Sequence, residues 1–193
     1  MKKLFDFFRA LLPKHFEELA KLRVEIAKDV IYRLQNPQEG YYATIGAYLR
    51  FRDTQGLTDM WSLLHDDMRT DDLQQHVEDM EGHCEVCALG GLLLSKARLC
   101  DNVPLNNFYT IDEDGDKTWA FNQNRVKNSL IDIFGKRQLS LIESAFEVTP
   151  YYANTLSFNK KTAVEFGRRF VNSKDRMIAI MENIIQNNGD FVP

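Results

Sequence analysis

The sequence predicts a mainly α-helical protein: a single-domain helical bundle around one buried central helix, at about residues 86–100, with one small β-hairpin at about residues 108–121. Three observations predict it. Residues 82–100, GHCEVCALGGLLLSKARLC, form the most apolar run of the chain; there Val86, Leu89, Leu93, Ala97 and Cys100 recur at steps of three and four, one side of a 3.6-residue period. Most other segments carry the same period and end at Pro, Gly or Asn. Only once do alternating apolar residues flank an Asp-Gly turn, the signature of a hairpin. About seven to nine helices are expected in all.

In chain order, Leu4, Phe7, Phe8 and Leu11 mark one side of a short first helix, and residues 1–12 read as a peripheral amphipathic arm. Pro13 suits the first turn of a second helix. That helix runs to about Gln35, with Phe16, Leu19, Ala20, Ile26, Ala27, Val30 and Leu34 inward, and Asn36-Pro37 stops it. Residues 40–51 fit weak strand alternation and a short helix equally well. Thr58 suits the N-cap of a helix carrying Met60, Trp61, Leu64 and Met68, and Thr70 or Asp71 that of the next, with Leu73, Val77 and Met80 inward. Gly82 breaks that helix, so His83 to Cys87 fall in the first turn of the central one. A cysteine there feels the positive end of the helix dipole, which favours thiolate. Leu92 and Leu94 widen the apolar arc, so the central helix is covered nearly all round. Gly90-Gly91 costs roughly 1 kcal/mol per Gly relative to Ala, which makes sense if another backbone packs closely there.

A loop around Pro104 leads into the hairpin, whose turn is Asp112-Glu113-Asp114-Gly115-Asp116. It is the only clear strand pair in the pattern. The same acidic run lacks the Gly at the sixth position and the Glu at the twelfth that a calcium loop needs, so hairpin turn is the reading. Val126, Leu130, Ile131 and Phe134 then lead to Gly135, and Leu139, Ile142, Ala145 and Phe146 to Pro150. Phe166 and Phe170 mark another helix. Ser173 caps the last, with Met177, Ile180, Met181 and Ile184 inward and Asn188-Gly189 as its exit.

Length and composition narrow the class. At 193 residues the chain can bury a core without disulfides or metal. With 44% apolar and 27% charged residues it has the make-up of a soluble globular protein, and a net charge of −4 gives no global case for nucleic acid. Three cysteines, two of them three apart, are not a secreted disulfide framework and suit a reducing cytoplasm. Asp6 and Arg9 interrupt the apolar N-terminus, which reads as an amphipathic helix rather than a signal peptide. No run reaches the roughly 18 residues of a membrane span.

Four constellations carry candidate chemistry. The first is His83-Cys84-x-x-Cys87, with His76 and Cys100 nearby in sequence. As a zinc site, Cys84 and Cys87 would need His83 and His76 to complete the tetrahedron, because a second Cys-x-x-Cys or His-x-x-x-His is missing. As a redox pair they would sit at a helix N-terminus, without the βαβ pattern of a thioredoxin-like fold. As a nucleophile, Cys87 or Cys84 would need His83 or His76 as its base. The fourth reading is the favoured one: free cysteines filling a helix interface.

The second constellation is the acidic block at residues 65–87, where Asp66, Asp67, Asp71, Asp72, Glu78, Asp79, Glu81 and Glu85 face a single cation, Arg69. Adjacent carboxylates on a helix do not face one another, so Asp66-Asp67 and Asp71-Asp72 read as a solvated surface or a patch for a basic partner. The third is the acidic hairpin turn. The fourth is the basic C-terminal third: Lys160, Lys161, Arg168, Arg169, Lys174 and Arg176 against Glu165 and Asp175. It reads as a solvated helix face, with phosphate contact as the alternative; no aromatic interleaving or DNA-reading motif accompanies it. Walker, Gly-x-Gly-x-x-Gly, Gly-x-Ser-x-Gly and His-Glu-x-x-His signatures are absent.

Three pieces of the chain resemble small bacteriophage- and prophage-encoded proteins of unknown function: Gly40-Tyr41-Tyr42 through Leu49; Cys87-Ala88-Leu89-Gly90-Gly91-Leu92, where that family's second cysteine is Ala88; and an Ile/Ala-rich closing helix at residues 175–185. The resemblance implies an accessory protein of the phage type. The expectation is a non-enzymatic, soluble, cytoplasmic binding protein without cofactor. It would meet a protein partner, a host macromolecule in a regulatory or counter-defence role, through its charged faces. The alternative is a cysteine-dependent enzyme or zinc-supported module at His83, Cys84 and Cys87.

Overall fold

The computed structural model describes residues 2–36, 41–46, 48–52, 83–100, 109–111, 117–119, 123–148 and 157–193. The fold is mainly helical, as expected. The described residues hold five helices: α1 (Lys2–Gln35), α2 (Ala88–Leu99), α3 (Gln123–Glu147), α4 (Phe158–Arg168) and α5 (Ser173–Gln186). A small sheet combines β1 (Tyr42–Ala43), β2 (Leu49–Arg52) and β3 (His83–Val86), and a hairpin pairs β4 (Tyr109–Ile111) with β5 (Lys117–Trp119). No helix among the described residues is long and apolar enough to cross a membrane.

The helices form where the apolar period demands. Ile26, Ala27, Val30 and Leu34 of α1, Leu89, Leu92 and Leu93 of α2, and Met177, Ile180, Met181 and Ile184 of α5 are buried in one cluster with Leu130, Ile142 and Phe146 of α3. α2 packs on both α1 and α3, so it is central. Gly90 gives the reason for its unfavourable residue: a Cβ there would sit 1.7 Å from the Tyr48 carbonyl oxygen, so only glycine lets that backbone lie against the helix. Gly135 adopts φ 70° and kinks α3 between its two apolar runs, where the spacing placed a helix end.

Several local expectations are corrected. Pro13 does not separate two helices, for α1 runs through it from Lys2 to Gln35. Phe16 is exposed rather than inward. Of the two alternatives open for residues 40–51, the strand one holds rather than the helix: the described residues there supply β1 and most of β2, which flank β3. β1 runs parallel to it (Tyr42↔Glu85) and β2 antiparallel (Phe51↔Cys84, Arg52↔His83). The hairpin is therefore not the sole strand pair. His83 and Cys84 belong to β3, and the central helix begins only at Ala88. The hairpin expected at about residues 108–121 is present, with the register Tyr109↔Trp119 and Ile111↔Lys117. Phe170 lies beyond the end of α4. The N-cap of α5 is Asn172, whose side chain accepts from the Asp175 amide at 2.7 Å, not Ser173. The exit of α5 is a Schellman turn: Asn188 takes the left-handed conformation, and the Gly189 amide donates to the Ile184 carbonyl at 2.8 Å.

Candidate functional site

Cys87 sits where β3 turns into α2, as the N-cap residue of the helix. It is only 2% exposed. Burial pushes its thiol up to about 12. The first-turn amides of Gly90 and Leu89 offset part of this, although neither closes a capping hydrogen bond. The Glu147 and Glu143 carboxylates push the same way as burial. The expectation that the helix dipole would favour thiolate is thus overturned, because desolvation outweighs the dipole. Cys84 and Cys87 do not share a helix turn either: one lies in the strand and the other begins the helix.

The surroundings of Cys87 are polar on one side. The segment between β1 and β2 is clasped by the end of α3. The Gly46 amide donates to Glu147 Oε2 at 3.1 Å, and one helical turn earlier Glu143 accepts from the Tyr48 hydroxyl at 2.5 Å. Lys127, which the break at Gly135 brings back beside the second half of α3, closes on the other Glu143 oxygen at 2.5 Å. Burial raises the Glu147 carboxyl, and burial followed by the Glu143 hydrogen bond raises the Tyr48 hydroxyl. Both shifts favour the neutral form of the group concerned. An activated thiol needs a base or a cation at its side. Cys87 instead has the Glu147 and Glu143 carboxylates, which disfavour its anion. This suits a thiol that packs. Sequence reasoning missed the cluster; its one signal was a pair of carboxylates four apart, Glu143 and Glu147, on a helix that also carries a core face.

Cys100, the C-cap residue of α2, is half-buried. His76 and the acidic residues Asp66, Asp67, Asp71 and Asp72 lie outside the described residues. Among the described residues no three His, Cys, Asp or Glu side chains gather into a metal site.

The basic C-terminal third divides. Arg176 is no surface cation: it is 6% exposed and donates to three backbone carbonyls, Gly167 from Nε (3.1 Å), Phe146 from Nη1 (2.8 Å) and Phe170 from Nη2 (2.9 Å). Lys160 is half-buried, while Lys161, Arg168 and Arg169 are exposed. The Arg169 guanidinium lies 4.4 Å from the centre of the Phe166 ring, a cation–π contact. Phe158, Lys161, Glu165 and Arg168, spaced by three or four, form one outward stripe along α4. Apolar residues stand at both ends of the helix: Phe158 is 83% exposed at its start, and Val171 98% just beyond its end. No protein-family model, curated protein or solved structure matches the chain.

Proposed function

We propose that this is a non-enzymatic binding protein of the phage-accessory kind, working in the cytoplasm of a bacterial or phage-infected cell. It meets a protein partner through the outer side of α4. The observation that carries the reading is the composition of that side: of the large apolar residues described as exposed, the two most exposed, Phe158 and Val171, bracket three exposed cations, Lys161, Arg168 and Arg169. An exposed aromatic and exposed arginines along one helix are of the kinds enriched at contact surfaces. The buried thiol of Cys87 supports the same reading from the other side, since that sulfur is held within the core.

The test is a photo-crosslinking amino acid in place of Phe158, irradiated in host lysate at low salt. A discrete adduct that survives nuclease treatment and is lost in the Lys161→Glu/Arg168→Glu double variant is the expected result. Adducts that are equally strong in the double variant would refute the surface, and an adduct abolished by nuclease would move the partner to nucleic acid.

A further inference from the structure

A groove of about 380 Å³ lies beside the start of α4, between α3 and the chain after α5. Its floor is Leu141 and Phe191, both buried; Phe158 and Val192, both exposed, line it as well. Arg137 and Thr162 supply polar groups. The volume falls in the range of ligand pockets, and two large apolar residues open to solvent at one groove mark a contact site rather than scatter.

The groove is also prearranged. Asn183 grips Val192 as a neighbouring strand would, accepting from its amide and donating to its carbonyl, both at 2.8 Å. Gln138 Oε1 accepts from the Phe191 amide at 2.9 Å, and the Phe191 ring stands edge-on to Phe166 with centres 5.3 Å apart. A partner that enters therefore finds this wall already ordered, and the ordering cost is small.

Charge selects the occupant. Two ionisable side chains line the groove, Arg137 and Asp190. Asp190 is engaged by Arg23 of α1. Arg137 is exposed and makes no ion pair or hydrogen bond among the described residues. Lys161, also exposed, stands on the outward stripe of α4 one turn from the groove-lining Phe158 and does not itself line the groove. The groove thus offers an apolar seat beside an unanswered positive charge. We propose that it binds an acidic peptide segment of a partner protein, with one bulky apolar side chain seated on Leu141 and Phe191 and a neighbouring Asp or Glu paired with Arg137. This rests on the reading of α4 as the contact surface and names the partner's chemistry.

The experiment is fluorescence anisotropy of the full chain with three labelled hexapeptides: Glu-Glu-Trp-Leu-Glu-Glu, its Lys counterpart Lys-Lys-Trp-Leu-Lys-Lys, and Glu-Glu-Ser-Ser-Glu-Glu. Saturable binding of the first is expected, with the other two weaker by at least about ten-fold. Arg137→Glu and Phe158→Ser, both at the surface, should each weaken the first probe by a similar factor while leaving the urea midpoint in place. Failure of the first probe to bind, equal binding of the Lys probe, or undiminished binding to Arg137→Glu overturns the proposal. If any of these occurs while crosslinking at Phe158 still yields an adduct lost in Lys161→Glu/Arg168→Glu, the groove is wrong and the α4 surface stands.

Discussion

Replacing Arg176 with Met should be the most damaging single change on the C-terminal side of the molecule. Arg176 lies in the first turn of α5, where a cation is disfavoured by its own helix dipole. It is kept there because its guanidinium reaches the opposite poles of two other helices: the Phe146 carbonyl at the end of α3, and the Gly167 and Phe170 carbonyls at and beyond the end of α4. Burial lowers its pKa, yet three donors aimed at carbonyls and the charge of Glu147 hold the proton. Each such charged hydrogen bond contributes about 1.5–3 kcal/mol net, against several kcal/mol for desolvating the ion. Methionine restores the volume but leaves three carbonyls without their cation, so a loss of about 3–5 kcal/mol follows. Set against a total stability of about 5–15 kcal/mol, this lowers the melting temperature by on the order of 10 °C. Arg176→Lys keeps the charge but offers a single nitrogen and should recover less than half. Urea unfolding followed by circular dichroism at neutral pH measures both. A loss below about 1 kcal/mol for Arg176→Met, or a lysine variant as stable as wild type, would refute the argument that the fork geometry matters.

Gly90→Ala should destabilise by about 2 kcal/mol or more, because its Cβ would meet the Tyr48 carbonyl at 1.7 Å, whereas Gly91→Ala, whose nearest neighbour would stand at 3.4 Å, should be neutral or stabilising by up to about 1 kcal/mol; parallel urea titrations decide it. Glu147 has a folded pKa raised above 4.5 by burial, so its contribution to stability is fully present below that value and is lost as pH rises through the raised one; Glu147→Gln should flatten the fall of the urea midpoint across that window and keep an acceptor for the Gly46 amide. Cys87, buried and with its thiol up to about 12, should be alkylated at least about 100-fold more slowly in the native protein than in the urea-unfolded one at neutral pH, as read by peptide-resolved mass spectrometry; equal rates would reopen the nucleophile reading.

What was legible in the sequence was whatever a local period encodes. The inward residues of α2, α3 and α5, the break at Gly135 and the turn after Asn188 all follow from spacing within a dozen residues. The close backbone at Gly90 was readable as well, because a glycine inside an apolar helix has a cost that needs a reason. The three-stranded sheet was not. β1 has two residues and β3 four, too short to distinguish alternation from a helix's first turn, and their pairing joins segments far apart in sequence. For the same reason the pattern sets both cysteines on one helical turn, where the structure divides them between β3 and the start of α2. Arg176 was misread for a related reason: a basic run signals charge, but only the convergence of three helices shows which cation is buried in it. The Cys87–Glu143–Glu147–Tyr48 neighbourhood likewise depends on long-range packing, so no spacing rule could assemble it.

The arrangement of the small sheet has a consequence for synthesis. Its middle strand is the last of the three to be made: β1 and β2 each bond to β3 and not to one another, and His83 follows Arg52 by roughly thirty residues. Among the described residues, these two strands find their mate only when the segment that also launches α2 emerges. Because β3 passes into α2 through Cys87 alone, docking that helix on α1 and stitching the sheet together become one cooperative event rather than two.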